Sequence, residues 1–72
     1  MAEGISESAV DELNALLDLR GPSPEERRRI AELVELLFDV DTAWVWWERA
    51  AEAGDPDAWD YLMELVKEEN AS

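Results

Sequence analysis

The chain has 72 residues, with 19 Asp and Glu against 6 Lys and Arg and a net charge of −13. That balance excludes a nucleic-acid binder working through its own basic surface. The absence of Cys and His excludes disulfides, thiol nucleophiles, the usual Zn and Fe–S sites and the commonest general base.

Apolar residues make up 47% of the chain, too many for a disordered acidic tail. No apolar run approaches the roughly 20 residues needed to cross a bilayer. The first residues carry neither the basic nor the apolar region of a secretory signal, so a soluble, cytoplasmic protein is expected. A core this small rarely supplies more than ~3–5 kcal/mol. Its 4 Trp, 1 Tyr and 1 Phe compensate in part, and self-repulsion opposes them.

The predicted elements are four helices. The first, over residues 8–20, starts from Ser6 or from the Ser8-Ala-Val-Asp11 pattern, with an acid near the positive end of the dipole. Ala9, Val10, Leu13, Leu16 and Leu17 recur at helical spacing, and Gly21-Pro22 stops the segment. The second, over 24–38, opens with Ser23-Pro24-Glu25-Glu26, an N-cap followed by Pro at N1 and Glu at N3. Ile30, Leu33, Val34 and Leu37 form its stripe, and Ala31, Leu36 and Phe38 widen that stripe nearly all round. Such a helix should lie between neighbours. Arg27, Arg28 and Arg29 fan around the helix at ~100° per residue, so they form no flat basic patch and should pair with acids, Glu25 with Arg29 among them, a phosphate or acidic-peptide site being the other reading.

The third helix, over 42–53, should be capped by Asp41 and ended by Gly54. The fourth, over 56–69, opens with Asp55-Pro56 and turns Ala58, Leu62, Leu65 and Val66 inward, with Trp59, Tyr61 and Met63 extending the stripe. No segment alternates with period two. The expected fold is all-α, four short helices forming two antiparallel hairpins in one small domain.

Residues 39–66 carry a further pattern. Ala43, Trp46-Trp47, Ala50-Ala51, Gly54-Asp55, Ala58 and Leu62 place a small residue, an aromatic pair and two alanines on one helix, then a Gly-Asp turn and an Ala-x-x-x-Leu helix. This resembles the helix B to helix A junction of tetratricopeptide and Sel1-like repeats. The resemblance implies close-packed antiparallel helices and a protein-binding role. Met63 stands where those families carry a small residue, so a compact TPR-like pair of hairpins is expected rather than an array.

Trp46 and Trp47 share the Ala43/Ala50 face and are expected in the core. Trp44 heads a stripe continued by Glu48 and Glu52. It packs beneath the first hairpin, or it stands exposed as an anchor for a partner or a second copy. Trp59 has the same two readings. Asp57, Asp60, Glu64 and Glu68 run along one face of the fourth helix. That face reads first as solvated, second, because like charges at that spacing cost some stability, as a docking surface for a basic protein, and last as a mimic of DNA phosphates. The acids number 10 against 2 bases from Phe38 onward and 9 against 4 before it, so the charge is skewed without being segregated.

No constellation for catalysis, metal or cofactor stands out. Asp39-x-Asp41 begins like a calcium loop, but Ala43 and Trp44 occupy places where oxygen ligands and Gly should follow. The function expected is a non-catalytic protein–protein interaction module. It would hold a protein partner with a basic or apolar docking segment, or a second copy of itself, through Trp44, Glu48, Glu52, Asp57, Trp59, Asp60 and Glu64. Direct nucleic-acid or membrane binding is not expected. The alternative is an acidic inhibitor, of the antitoxin or immunity-protein kind, that occludes the basic cleft of a nuclease or DNA-binding protein. Five of the six basic residues are Arg, which fits a GC-rich bacterial genome.

Overall fold

A computed structural model describes the backbone of residues 2–71 and the side chains of residues 8–70. Four helices follow one another: α1 (Ala2–Leu17), α2 (Pro24–Leu37), α3 (Val40–Glu52) and α4 (Pro56–Ala71). No strand occurs among the described residues, and the fold is all-α.

The helix ends follow from local chemistry. α1 begins at Ala2, so Ser8 lies inside it and neither Ser6 nor Ser8 is its cap. Ala and Glu are good helix formers, and Ser costs only a few tenths of a kcal/mol in a helix interior. The expected extension of α1 to Arg20 also fails. Its last turn tightens, with the Leu19 N–H donating to the Leu16 carbonyl at 3.1 Å, and Gly21 then takes φ +69°.

α2 starts with a complete capping box. The Ser23 hydroxyl accepts from the Glu26 N–H at 3.1 Å, and the Glu26 carboxylate accepts from the Ser23 N–H at 2.7 Å. Phe38 breaks the helix with φ −125° and ψ −98°. Asp39, rather than Asp41, caps α3, because its carboxylate reaches the Thr42 N–H at 2.6 Å. α3 ends in a Schellman turn: the Gly54 N–H donates to the Ala51 carbonyl and the Asp55 N–H to the Ala50 carbonyl. Gly54 takes φ +110° there, a conformation that a residue with a Cβ rarely adopts.

Each helix packs on the one before it, and the α2–α3 interface is the most extensive. Cross-helix pairs show the antiparallel sense. Arg29 near the start of α2 meets Glu12 towards the end of α1, and Arg28 meets Asp55 just past the end of α3. The core comprises Ala9, Leu13, Ile30, Ala31, Leu33, Val34, Ala43, Trp47, Ala50, Ala58 and Leu62. Ala31, Ala43, Ala50 and Ala58 are wholly enclosed; side chains this small let helices approach closely.

The Cα envelope measures 37 × 29 × 15 Å. With axes spaced about 8–10 Å apart, such a thickness holds two layers; the outer flank of α4 is open, with Trp59, Met63 and Val66 exposed. α2 does lie between α1 and α3, but not because it is apolar all round. Leu36 and Phe38 are 68% and 67% exposed. Leu36 projects on the Arg28–Glu32–Glu35 side, off the buried arc, and Phe38 follows the helix end. No described helix is long and apolar enough to cross a membrane.

Candidate interaction site

The α3–α4 pair builds a groove from two complementary faces. Trp44, Glu48, Ala51 and Glu52 fall on the side of α3 that meets α4. Trp59, Leu62, Met63 and Val66 come from α4, and together they line a recess of about 190 Å³. Leu62 is buried and Ala51 half-buried, forming an apolar floor. Trp44 is half-buried and packs against the core, while Trp59 is 55% exposed. Glu48 and Glu52 are exposed on the rim. Trp44 also borders a second recess of about 230 Å³, which it shares with Val40, Asp41, Leu65, Glu68 and Glu69.

A larger concavity of about 700 Å³ lies on the other side of α4, lined by Arg28, Glu32, Glu35, Leu36, Trp47, Asp57 and Tyr61. The Trp47 indole donates to Glu35 Oε1 at 3.1 Å and the Tyr61 hydroxyl donates to Glu35 Oε2 at 2.7 Å. Partial burial, then the neighbouring Glu35 carboxylate, pushes the Tyr61 phenol up to about 12. Arg28 sits at the opposite end, with Nε 2.8 Å from Asp55 Oδ2 and Nη1 3.0 Å from Glu32. Asp55 is only 4% exposed. Its Oδ2 and the Arg28 Nε form a close ion pair without an aligned hydrogen bond. Burial opposes the Arg28 charge, but Asp55, Glu32 and Asp57 outweigh it, so the guanidinium is held above its ordinary range.

The remaining arginines also take local partners. Arg29 donates to both Glu12 oxygens, at 2.6 and 2.9 Å, and to Glu32 at 3.1 Å. Those bonds raise the Arg29 pKa, and Glu12 is held below the usual carboxylate range by the same hydrogen bond. The expected Glu25–Arg29 pair is replaced by these contacts, since Glu12 reaches Arg29 from α1 and offers both oxygens. Arg27 Nε donates to the Pro22 carbonyl at 3.2 Å.

The structure thus brings Trp44, Glu48, Glu52 and Trp59 into one groove. Asp57 belongs to the other concavity, 4.0 Å from Arg28. Asp60 and Glu64 lie exposed on the outward face of α4 and line none of these recesses. Trp47 is core, as expected, but Trp46 is only half-buried, with the Arg49 guanidinium 4.9 Å from its ring centroid. Sequence reasoning passed over Glu35 and read Tyr61 only as an extension of the α4 stripe; the available signal for Glu35 was a lone acid set among Leu33, Val34, Leu36 and Leu37.

Among the described residues, no group of three or more acids is arranged to hold a metal ion. Comparison with protein-family models, with curated proteins and with solved structures gives no significant match.

Proposed function

We propose that the chain is a non-catalytic, cytoplasmic protein–protein docking module. It holds a segment of its partner in the α3/α4 groove, on a scaffold of the TPR-like kind. The supporting observation is the pair of indoles flanking an apolar floor, with Trp59 more than half exposed at 55%. Covering the open part of such a ring contributes on the order of 2–3 kcal/mol. Indoles are enriched among interface hot spots for that reason. The enclosed alanines at positions 43, 50 and 58 fit the close helix crossings of TPR-like hairpins. Glu48 and Glu52 on the rim would steer a basic segment into place.

The test is affinity capture from the source cells with a photo-cross-linking residue at position 63, compared between the parent chain and Trp59→Ala. Docking through this groove requires a defined cross-linked protein that Trp59→Ala loses while its helicity stays at the parent level. Equal cross-linking by both chains would remove the groove from the binding surface.

A second reading rests on Asp60 and Glu64, which with Asp57 form an exposed acidic strip on α4. In that reading the chain is an acidic inhibitor that occludes a basic cleft. Salt separates the two: a decoy's affinity falls steeply with ionic strength, whereas docking anchored by indoles changes little.

A further inference from the structure

We infer that the occupant of the α3/α4 groove is a positively charged amphipathic α-helix, seated along α4 as a fifth helix of the stack. This rests on the docking reading and adds the chemistry of the partner. Each of α2, α3 and α4 lies against its predecessor, and among the described residues no helix covers the outer flank of α4. Its Trp59, Met63 and Val66 stand at i, i+4 and i+7, the spacing of a stripe that a neighbouring helix covers. All three are exposed.

The backbone decides between a helical and an extended occupant. α3 and α4 satisfy their own N–H and carbonyl groups along their length, so they offer no edge to which an extended segment could add as a strand. What the groove offers is side-chain relief: a floor at Ala51 and Leu62 between the ridges of Trp44 and Trp59. A helix with apolar residues at i, i+3 or i+4, and i+7 fills such a groove.

Charge decides the sign. Glu48 and Glu52 stand exposed on the α3 rim, and beyond Met63 the surface of α4 carries Asp60 and Glu64 with Lys67 between them and Met63, all exposed. An occupant therefore meets two acids along the α3 edge of its apolar stripe and a net charge of one acid along the α4 edge, where Lys67 offsets one of Asp60 and Glu64. A second copy of this chain brings −13 of its own. Paired about a twofold axis, it would set Glu48 and Glu52 against the same groove rims. A helix carrying Lys or Arg beside its apolar stripe meets both rims favourably.

Three synthetic 18-residue peptides test this. The first has Leu at helical spacing with Lys elsewhere, the second has the same composition in strict alternation, and the third replaces Lys by Glu in the helical pattern. Binding is read by calorimetry and by the indole emission shift at moderate salt. The inference expects the helical Leu/Lys peptide to bind about tenfold or more tightly than either other peptide. It expects Trp59→Ala and Met63→Glu each to cost about tenfold, with helicity retained.

Equal binding of the alternating peptide would overturn the inference, as bare charge attraction. Binding of the Leu/Glu peptide would overturn the sign. Indifference to Met63→Glu together with loss on Leu36→Glu would move the site to the concavity at Tyr61. Sedimentation at twice 8.2 kDa, abolished by Met63→Glu, would make the occupant a second copy. Each of these results leaves docking itself standing; that reading fails separately, if position 63 cross-links to nothing in the source cells.

Discussion

The indole of Trp47 and the phenol of Tyr61 lie 4.4 Å apart between centroids and tilted by 51°, and both donate to the Glu35 carboxylate. One acid on α2 thereby ties α3 to α4. Removing it leaves both donors without a partner, and each unsatisfied group costs about 1–3 kcal/mol when desolvated. Glu35→Ala should therefore lower stability by about 2–3 kcal/mol, because both donors are only partly shielded from water. Glu35→Gln should cost less, since its amide oxygen still accepts one bond. Urea melts of both variants check the order, and Glu35→Gln as damaging as Glu35→Ala would show that the charge matters more than the bonds.

Tyr61 supplies a pH dependence. Its phenol is held near 12 in the folded chain against an ordinary value of 10.0, by burial first and by Glu35 second. Between those values the unfolded chain loses its proton before the folded one does. The native state then binds more protons, and stability falls as pH rises. The contribution is complete below about pH 10 and is lost as pH passes through the folded value. The chain has 1 Tyr, so phenolate absorbance reports this group alone. It should titrate near 12 in the folded protein and near 10 in denaturant, and Tyr61→Phe should flatten the alkaline fall in stability.

The ion pair between Arg28 and Asp55 should be asymmetric to mutation. Asp55 is 4% exposed, whereas the Arg28 side chain is 27% exposed and also touches Glu32 and Asp57. Arg28→Ala strands a buried carboxylate, at a cost on the order of 2–4 kcal/mol. Asp55→Ala leaves Arg28 with other acids and partial hydration, and should cost about half as much. Chemical denaturation of the two variants at neutral pH gives the comparison; equal losses would show that Asp55 acts mainly through the α4 N-terminus.

Local chemistry made much of this legible in advance. The Ser23-Pro24-Glu25-Glu26 start reads directly as the capping box that forms, because every atom involved lies within three residues. Gly54 likewise announces its turn. The α3 cap illustrates the limit: Asp39 and Asp41 both offer a carboxylate one turn before an N–H, and only the Phe38 break, with its non-helical torsions, decides that Asp39 is used. The Arg28–Asp55 and Glu35–Tyr61 contacts were illegible for a different reason. They join residues 26 or more positions apart, and their acids look like any others in a chain with 19 of them. Of the candidate site, Trp44 with Glu48 and Glu52 follows from helical spacing alone. Their meeting with Trp59 requires the α3–α4 register, while Asp57, Asp60 and Glu64 share a helix face without sharing the groove.

The two central indoles should separate cleanly under truncation. Trp47 is 5% exposed and bonded to Glu35, so Trp47→Ala should cost about 3–5 kcal/mol, enough to unfold a core this small. Trp59 is largely open, and Trp59→Ala should change stability by under about 1 kcal/mol. Circular-dichroism melts of the pair make the distinction, and an unfolded Trp59→Ala chain would place that ring in the core instead.

Salt should stabilise the isolated chain. With −13 on a molecule whose longest dimension is 37 Å, repulsion reaches from end to end at ~0.01 M salt, where the screening length is about 30 Å. At ~0.5 M the screening length falls to a few ångströms and little repulsion beyond near neighbours survives. Salt also weakens attraction, but the attractive pairs are few. The Arg29–Glu12 pair, with side chains 48% and 42% exposed, is open to solvent and contributes little. The repulsive excess should win by about 1 kcal/mol, raising Tm by roughly 4–8 °C in a domain of this size. Sodium chloride is the right agent, because sulfate would strengthen apolar burial as well and hide the electrostatic effect. A Tm that falls as chloride rises would mean that the Arg28 and Arg29 pairs outweigh the repulsion, and Arg29→Gln should then abolish much of the dependence.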